Sequence, residues 1–209
     1  MKELDELLKV MKGRYAGPGV SFGGHQILKA LMIIGEGEIG RGRLARELGI
    51  GEGAVRTLIR RMVSRGLVKT GARGCRLSRK GQRIYRAVKE LLPTSVRIPR
   101  SGLSVDEENF AILVRGGGKV VTSGLAERDE AIKAGATGAT TLVFKKGKFV
   151  MPRISEDCER DHPDPIWGIL RDSLSPRDWD AIIIGSARDR KNAEYGAISA
   201  AISLLKRMN

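Results

Sequence analysis

The sequence predicts a two-domain chain of mixed class (α+β / α/β): a helical domain closed by a β-hairpin, then a mixed ββαββαβα domain. Three observations predict it. Charge is uneven: residues 1–99 hold 21 Lys or Arg against 8 Asp or Glu, a net of +13, whereas residues 100–209 hold 17 against 16, a net of +1. Apolar spacing is helical up to Pro93 except for one pair of short runs, and beyond it short strand-like runs alternate with helical stretches. Between the two lies "LPTSVRIPRSGLSVDEEN", polar and carrying two prolines. The domains are therefore expected at 1–93 and 109–209, joined by a connection at 94–108.

In the first half, "ELDELLKVMK" places Leu4, Leu7, Leu8 and Met11 at helical spacing. "GRYAGPGV" breaks that helix with glycines around a proline. "SFGGHQILKALMIIGEG" is a second helix, with Ile27, Leu28, Leu31 and Ile34 on one face. "GRGRLARELGI" is a short third, with Leu44 and Leu48 four apart. After the turn "GIGEG", "EGAVRTLIRRMVSRG" is a fourth, whose stripe is Val55, Leu58, Ile59 and Met62 and whose stop is Gly66. "LVKT", "GARG" and "CRLS" read as a hairpin with a basic tip, and "RKGQRIYRAVKELLP" as a closing helix.

Helix, helix, turn, helix and basic hairpin make the winged helix-turn-helix order. "RGRLARELGIGEGAVRTLIRRMVSRGLVKTGARGCRLSRKG" resembles the DNA-binding domain of many prokaryotic regulators. The chain as a whole resembles an archaeal family of winged-helix proteins whose C-terminal domain has no assigned function. That second resemblance also rests on "ERDEAIKAGATGATTLVFKKGKFVMP" and "DAIIIGSARDRKNAEYGA".

The charge fits such a role. Residues 41–86 carry 14 basic residues against Glu47 and Glu52. With the apolar stripe inward, helical geometry turns Glu52, Gly53, Arg56, Thr57 and Arg60 outward, where Arg56 and Arg60 reach base edges. Arg61 and Arg65 lie to the side and suit phosphates. Arg41, Arg43 and Arg46 flank the preceding helix, which crosses the backbone in this motif, and Arg73 and Arg76 sit in the wing. Gly51 stands where a Ser or Thr cap is usual, which weakens the cap and leaves backbone N–H groups for a phosphate.

In the second half, "FAILVRGGGKVVTSG" reads as two strands around "GGG", and "LAERDEAIKAGATGA" as a helix with Leu125, Ile132 and a glycine stop. "TTLVFKKGKFVMP" is a hairpin and "DHPDPIWGILRDSL" a helix. "RDWDAIIIGSARDRKNAEYGAISAAISLLKRM" is a strand, a loop and a long helix. A small anionic or polar effector is expected after that last strand, at Gly185, Ser186, Arg188 and Asn192, with Arg128 and Asp129 facing the same cleft.

Catalysis is not expected: there is no Ser-His-Asp set, Walker loop or dinucleotide fingerprint. Cys75 and Cys158 lack metal-spaced partners, His25 and His162 being the only histidines, so neither metal nor cofactor is expected. The longest apolar runs fall short of a membrane span, and the N-terminal stretch lacks an export-signal core, so a cytoplasmic protein is expected. The reading is a transcriptional regulator that binds double-stranded DNA as a homodimer. The dimer contact is expected through the N-terminal stripe, or through strand edges of the second domain and its last helix at Ile198, Ile202 and Leu205. The alternatives are an enzyme carrying an appended winged helix, or a winged helix that binds RNA or protein.

Overall fold

The computed structural model describes residues 2–11 and 22–209. The break read at "GRYAGPGV" lies outside the described residues. The chain forms two compact units, Met1–Val88 and Lys89–Asn209. The class is α+β, with helices and antiparallel sheets.

The first unit contains α1 (Lys2–Met11), α2 (Gly24–Glu36), α3 (Arg41–Leu48), α4 (Glu52–Ser64), the hairpin β1 (Val68–Gly71) and β2 (Gly74–Leu77), and α5 (Arg79–Leu91), whose last turn belongs to the second unit. The apolar stripes of α2, α3 and α4 meet in one core, where Ile27, Leu31, Leu44, Leu48, Leu58 and Met62 are fully buried. Leu4, Leu7 and Leu8 of α1 are also buried, and Lys80 Nζ reaches Glu6 Oε2 at 2.6 Å. The α1 stripe is thus covered by its own chain, contrary to its expected use as a dimer contact.

One pairing was not anticipated. Ile39, just before α3, makes a two-way backbone bridge to Cys75 of β2, with N–O distances of 3.0 and 2.8 Å. Gly74 makes that approach possible. Its φ is +132°, and a Cβ there would lie 2.3 Å from the Ile39 carbonyl oxygen. The hairpin is thereby fastened to the start of α3.

The second unit is a five-stranded sheet in the order β3-β4-β7-β5-β6, antiparallel at every pairing. Its strands are β3 (Ser95–Ile98), β4 (Glu108–Val114), β5 (Gly138–Lys145), β6 (Lys148–Val150) and β7 (Asp180–Ala187). Its helices are α6 (Leu125–Lys133), α7 (Cys158–Asp161), α8 (Ile166–Leu174) and α9 (Arg190–Met208). One face of the sheet, with Ala111, Leu113, Leu142, Ile182 and Ile184, packs on Trp167 and Leu170 of α8. The other carries α9, on which α6 lies. Central β7 is buried along its whole length, which is why it reads as an unbroken apolar run.

Four expectations change here. The sheet is antiparallel rather than mixed α/β. The stretch 94–108, expected as a connection, contributes β3 at the sheet edge and lies within the second unit. The "GGG" segment is not a hairpin turn: Gly117–Lys119 is a short 3₁₀ turn, and no strand follows it. A Cβ on Gly118 would lie 2.6 Å from the Val143 side chain, so this turn is packed against the sheet. The helix α7 was not foreseen, and the order is ββαββααβα. Among the described residues no helix is long and apolar enough to cross a membrane.

Candidate nucleic-acid interface

Residues Gly49 to Gly51 turn the chain from α3 into α4. Gly49 is left-handed, at φ 55° and ψ 36°, and its N–H reaches back to Ala45 and Arg46 carbonyls. No side chain caps α4 at Gly51. The stripe of Val55, Leu58, Ile59 and Met62 is buried as expected, leaving Arg56, Thr57 and Arg60 exposed.

A groove of about 600 Å³ runs between α4 and the hairpin. Arg41, Arg56, Arg60 and Arg73 line it, and no lining residue is acidic. Arg73 is 89% exposed at the hairpin tip, with its Nε 3.4 Å from Glu38. Cys75 lies on the inner wall, and burial pushes its thiol pKa up. A smaller pocket of about 290 Å³ gathers Arg41, Gly42, Glu52 and Arg56 at the junction of α3 and α4.

The other expected residues are dispersed. Glu52 is exposed at the start of α4, in the smaller pocket with Arg41 and Arg56 rather than in the groove. The Thr57 hydroxyl donates to the Gly53 carbonyl at 3.1 Å. Arg61 is half-buried, not a free side arm, and together with exposed Arg65 it occupies the flank of α4 away from the groove. Arg43 pairs with Glu47 at 3.9 Å, and Arg46 is exposed on α3 outside the groove. Arg76 pairs in register with Lys69, on the hairpin face opposite Cys75 and outside the groove. Sequence reasoning missed Val63, a 40%-exposed apolar residue in the groove, and Thr70 in its wall. Val63 is four residues beyond Ile59, a spacing that could have signalled it.

In the second unit the expected effector cluster does not form an open cleft. Gly185 and Ser186 lie inside β7, not in a loop after it. A Cβ on Gly185 would sit 2.3 Å from the Ala193 carbonyl oxygen, so the glycine admits α9. Ser186 is fully buried; its hydroxyl donates to Asn109 Oδ1 at 2.6 Å and accepts from the Val105 N–H at 3.2 Å. Asn192 turns back to Asp189 at 2.7 Å. Arg188 is exposed near Asp106, whose carboxyl pKa is lowered chiefly by the Thr137 hydroxyl and only in part by Arg188 and Arg100. Arg128 bonds Asp129 at 2.9 Å on the solvent face of α6.

A cavity in this unit lies elsewhere. About 510 Å³ is enclosed by Leu103, Met151, Ile154, Cys158, Asp161 and Trp167, among others. All but Gly102 and Leu103 of its lining residues come from the single stretch 151–167, which the sequence reading did not mark as a site. Asp161 accepts from Ser155 and Arg160, in that order of influence, and both lower its carboxyl pKa.

Two family models match. Residues 25–83 match one described as PH0730-like, N-terminal domain, and residues 105–204 match a domain of unknown function, DUF4443. A solved structure, hypothetical protein PH0730 from Pyrococcus horikoshii OT3, is similar with a TM-score of 0.70 and 27% identity, over 87% of this chain and 92% of that one. No curated protein matches the chain. The chain is therefore similar in its two successive parts to a PH0730-like N-terminal domain and to DUF4443, and over most of its length to a protein of an archaeon.

Proposed function

We propose that the first unit is a winged helix-turn-helix that binds duplex DNA, and that the chain is a transcription regulator. In this reading α4 is the recognition helix, α3 crosses the backbone, and β1–β2 is the wing. The observation that carries it is the groove in which Arg41, Arg56, Arg60 and Arg73 converge without a lining acid. Four exposed guanidiniums lining one groove of a strongly basic unit raise a positive potential that attracts a polyanion. Arg56 and Arg60 serve as base readers, guanine first, and Val63 offers an apolar contact for a thymine methyl. Arg41 and Arg73 hold phosphates. The second unit is read as the effector domain, its cavity of about 510 Å³ lying in the size range of small-ligand sites. Its largely apolar wall suits an apolar or cationic molecule better than the anionic one expected at β7.

Fluorescence anisotropy with the full chain and a labelled duplex tests the DNA reading. If two copies neutralise roughly 6–10 phosphates, affinity falls about 10³–10⁵-fold between 50 and 200 mM salt. A flat salt titration, or duplex RNA competing equally well, overturns it.

A further inference from the structure

Helix α6 is turned inside out relative to an ordinary amphipathic helix. Glu127 is 1% exposed and faces inward, where it pairs with Arg207 of α9. Leu125 and Ile132 are 51% and 48% exposed. A single exposed leucine has no meaning on its own. Here, however, the inversion is held in place by packing. A Cβ on Gly196 of α9 would lie 2.5 Å from Ala136 Cβ and 3.3 Å from Ala131 Cβ. Where α6 and its following turn cross Gly196, at Ala131 and Ala136, there is therefore room only for small residues. The helix cannot roll to bury Leu125 or Ile132 without driving a large side chain into α9.

The outward face is the stripe Leu125, Arg128, Asp129, Ile132, spaced i, i+3, i+4, i+7, and all four residues are exposed. Its order is apolar, basic, acidic, apolar. When the stripe is laid antiparallel on a copy of itself, about a two-fold axis between 128 and 129, Leu125 meets Ile132 and Arg128 meets Asp129, each twice. Residue i on one helix meets j on the other while j meets i, which is the condition for an isologous interface.

We propose that this face of α6 is the docking surface for a second copy of the chain, the two helices crossing antiparallel about that axis. The apolar ends supply the attraction. The charges fix direction, because a parallel arrangement sets Arg128 against Arg128. The Arg128–Asp129 bond within one helix becomes a square of four alternating charges. This surface replaces the stripes of α1 and α9, which are buried within their own chain. It stands independently of the DNA reading.

Sedimentation of the full chain without DNA, from about 1 to 200 µM at low salt, tests it. The expected result is a monomer–dimer equilibrium within that range. Arg128→Asp and Asp129→Arg, tested singly, each bring like charges together and weaken association at least about tenfold. An equimolar mixture of the two variants re-associates, because every Asp then faces an Arg. Ile132→Gln removes one apolar end, abolishes the dimer and leaves the melting temperature of the monomer unchanged. A wild type that stays monomeric throughout overturns the proposal. So does a dimer indifferent to the single reversals, or a mixture of variants that fails to re-associate. No DNA enters the measurement, so failure here and failure of the DNA reading are separate results.

Discussion

Arg60 and Arg76 carry the same charge, yet the fold gives them different surroundings. Arg60 lines the groove beside α4, and Arg76 points from the far face of the hairpin alongside Lys69. In the proposed complex, Arg60→Ala weakens the preferred duplex by about 1–3 kcal/mol and flattens the preference among sequences. Arg76→Ala lowers affinity for preferred and random duplexes by the same small factor. Competition anisotropy with both duplexes checks this; equal losses for Arg60→Ala on the two would remove its role as a reader. Single residues were unevenly legible in the sequence. The outward set of α4 followed from helical period alone, because its stripe is complete. The fate of Ser186 did not, because its partners Asn109 and Val105 are 77 and 81 positions away. A Gly-Ser pair after an apolar run looks like the start of a loop until a neighbouring strand is seen to pair with it.

Two helical glycines show what elements ask of their sequences. Gly53 on α4 has nothing within 4 Å of a would-be Cβ, whereas on Gly81 of α5 a Cβ would lie 2.1 Å from the Leu67 carbonyl oxygen. Gly53→Ala should therefore gain the usual helix preference, about 0.5–1 kcal/mol. Gly81→Ala should lose about 1–3 kcal/mol by forcing α5 away from the chain entering β1. Thermal melts of the two variants are expected to move in opposite directions from wild type. At this scale the sequence was most readable where one element carried its own signal: α2, α3, α4, the hairpin, α8 and α9 stand where period and turn residues put them. It failed where the signal was shared. Strand β3 is four residues long at a sheet edge, between two prolines, and its alternation, Ser-Val-Arg-Ile, is too short to stand out from the polar stretch around it. The exposure of Leu125 and Ile132 on α6 was not legible, because the Glu127–Arg207 pair on the opposite face joins residues 80 apart.

The two units differ in charge as well as in fold, and the chain's two tryptophans, Trp167 and Trp179, both belong to the second. Tryptophan fluorescence therefore reports the second unit alone, while far-UV circular dichroism reports the helices of both. The strongly basic first unit is destabilised by self-repulsion, which salt screens. In urea, the dichroism curve is expected to contain a transition absent from fluorescence. Raising NaCl should shift that transition to higher urea and leave the fluorescence midpoint nearly fixed. Coincident curves with a common salt response would mean that the units unfold together. The feature most legible at this scale was the charge division itself, which needs no structure. The antiparallel sheet was not legible, because strand direction is decided by pairings such as Ile112 with Ile183 and Thr141 with Ile183, across long loops.

The place of β7 in that sheet has a consequence for the chain during its synthesis. β7 joins β4 to β5, yet it begins at Asp180, 66 residues after β4 ends at Val114. At translation speeds of roughly 5–20 residues per second, that interval lasts about 3–13 seconds. Even once β6 has been made, the nascent chain can hold a finished first unit but only two unjoined ribbons of the second, β3–β4 and β5–β6. The open edge of β4, from Phe110 to Val114, is then an unpaired apolar strand. The order of strands thus leaves the second unit with an apolar edge open to mispairing at a time when the first unit is already complete.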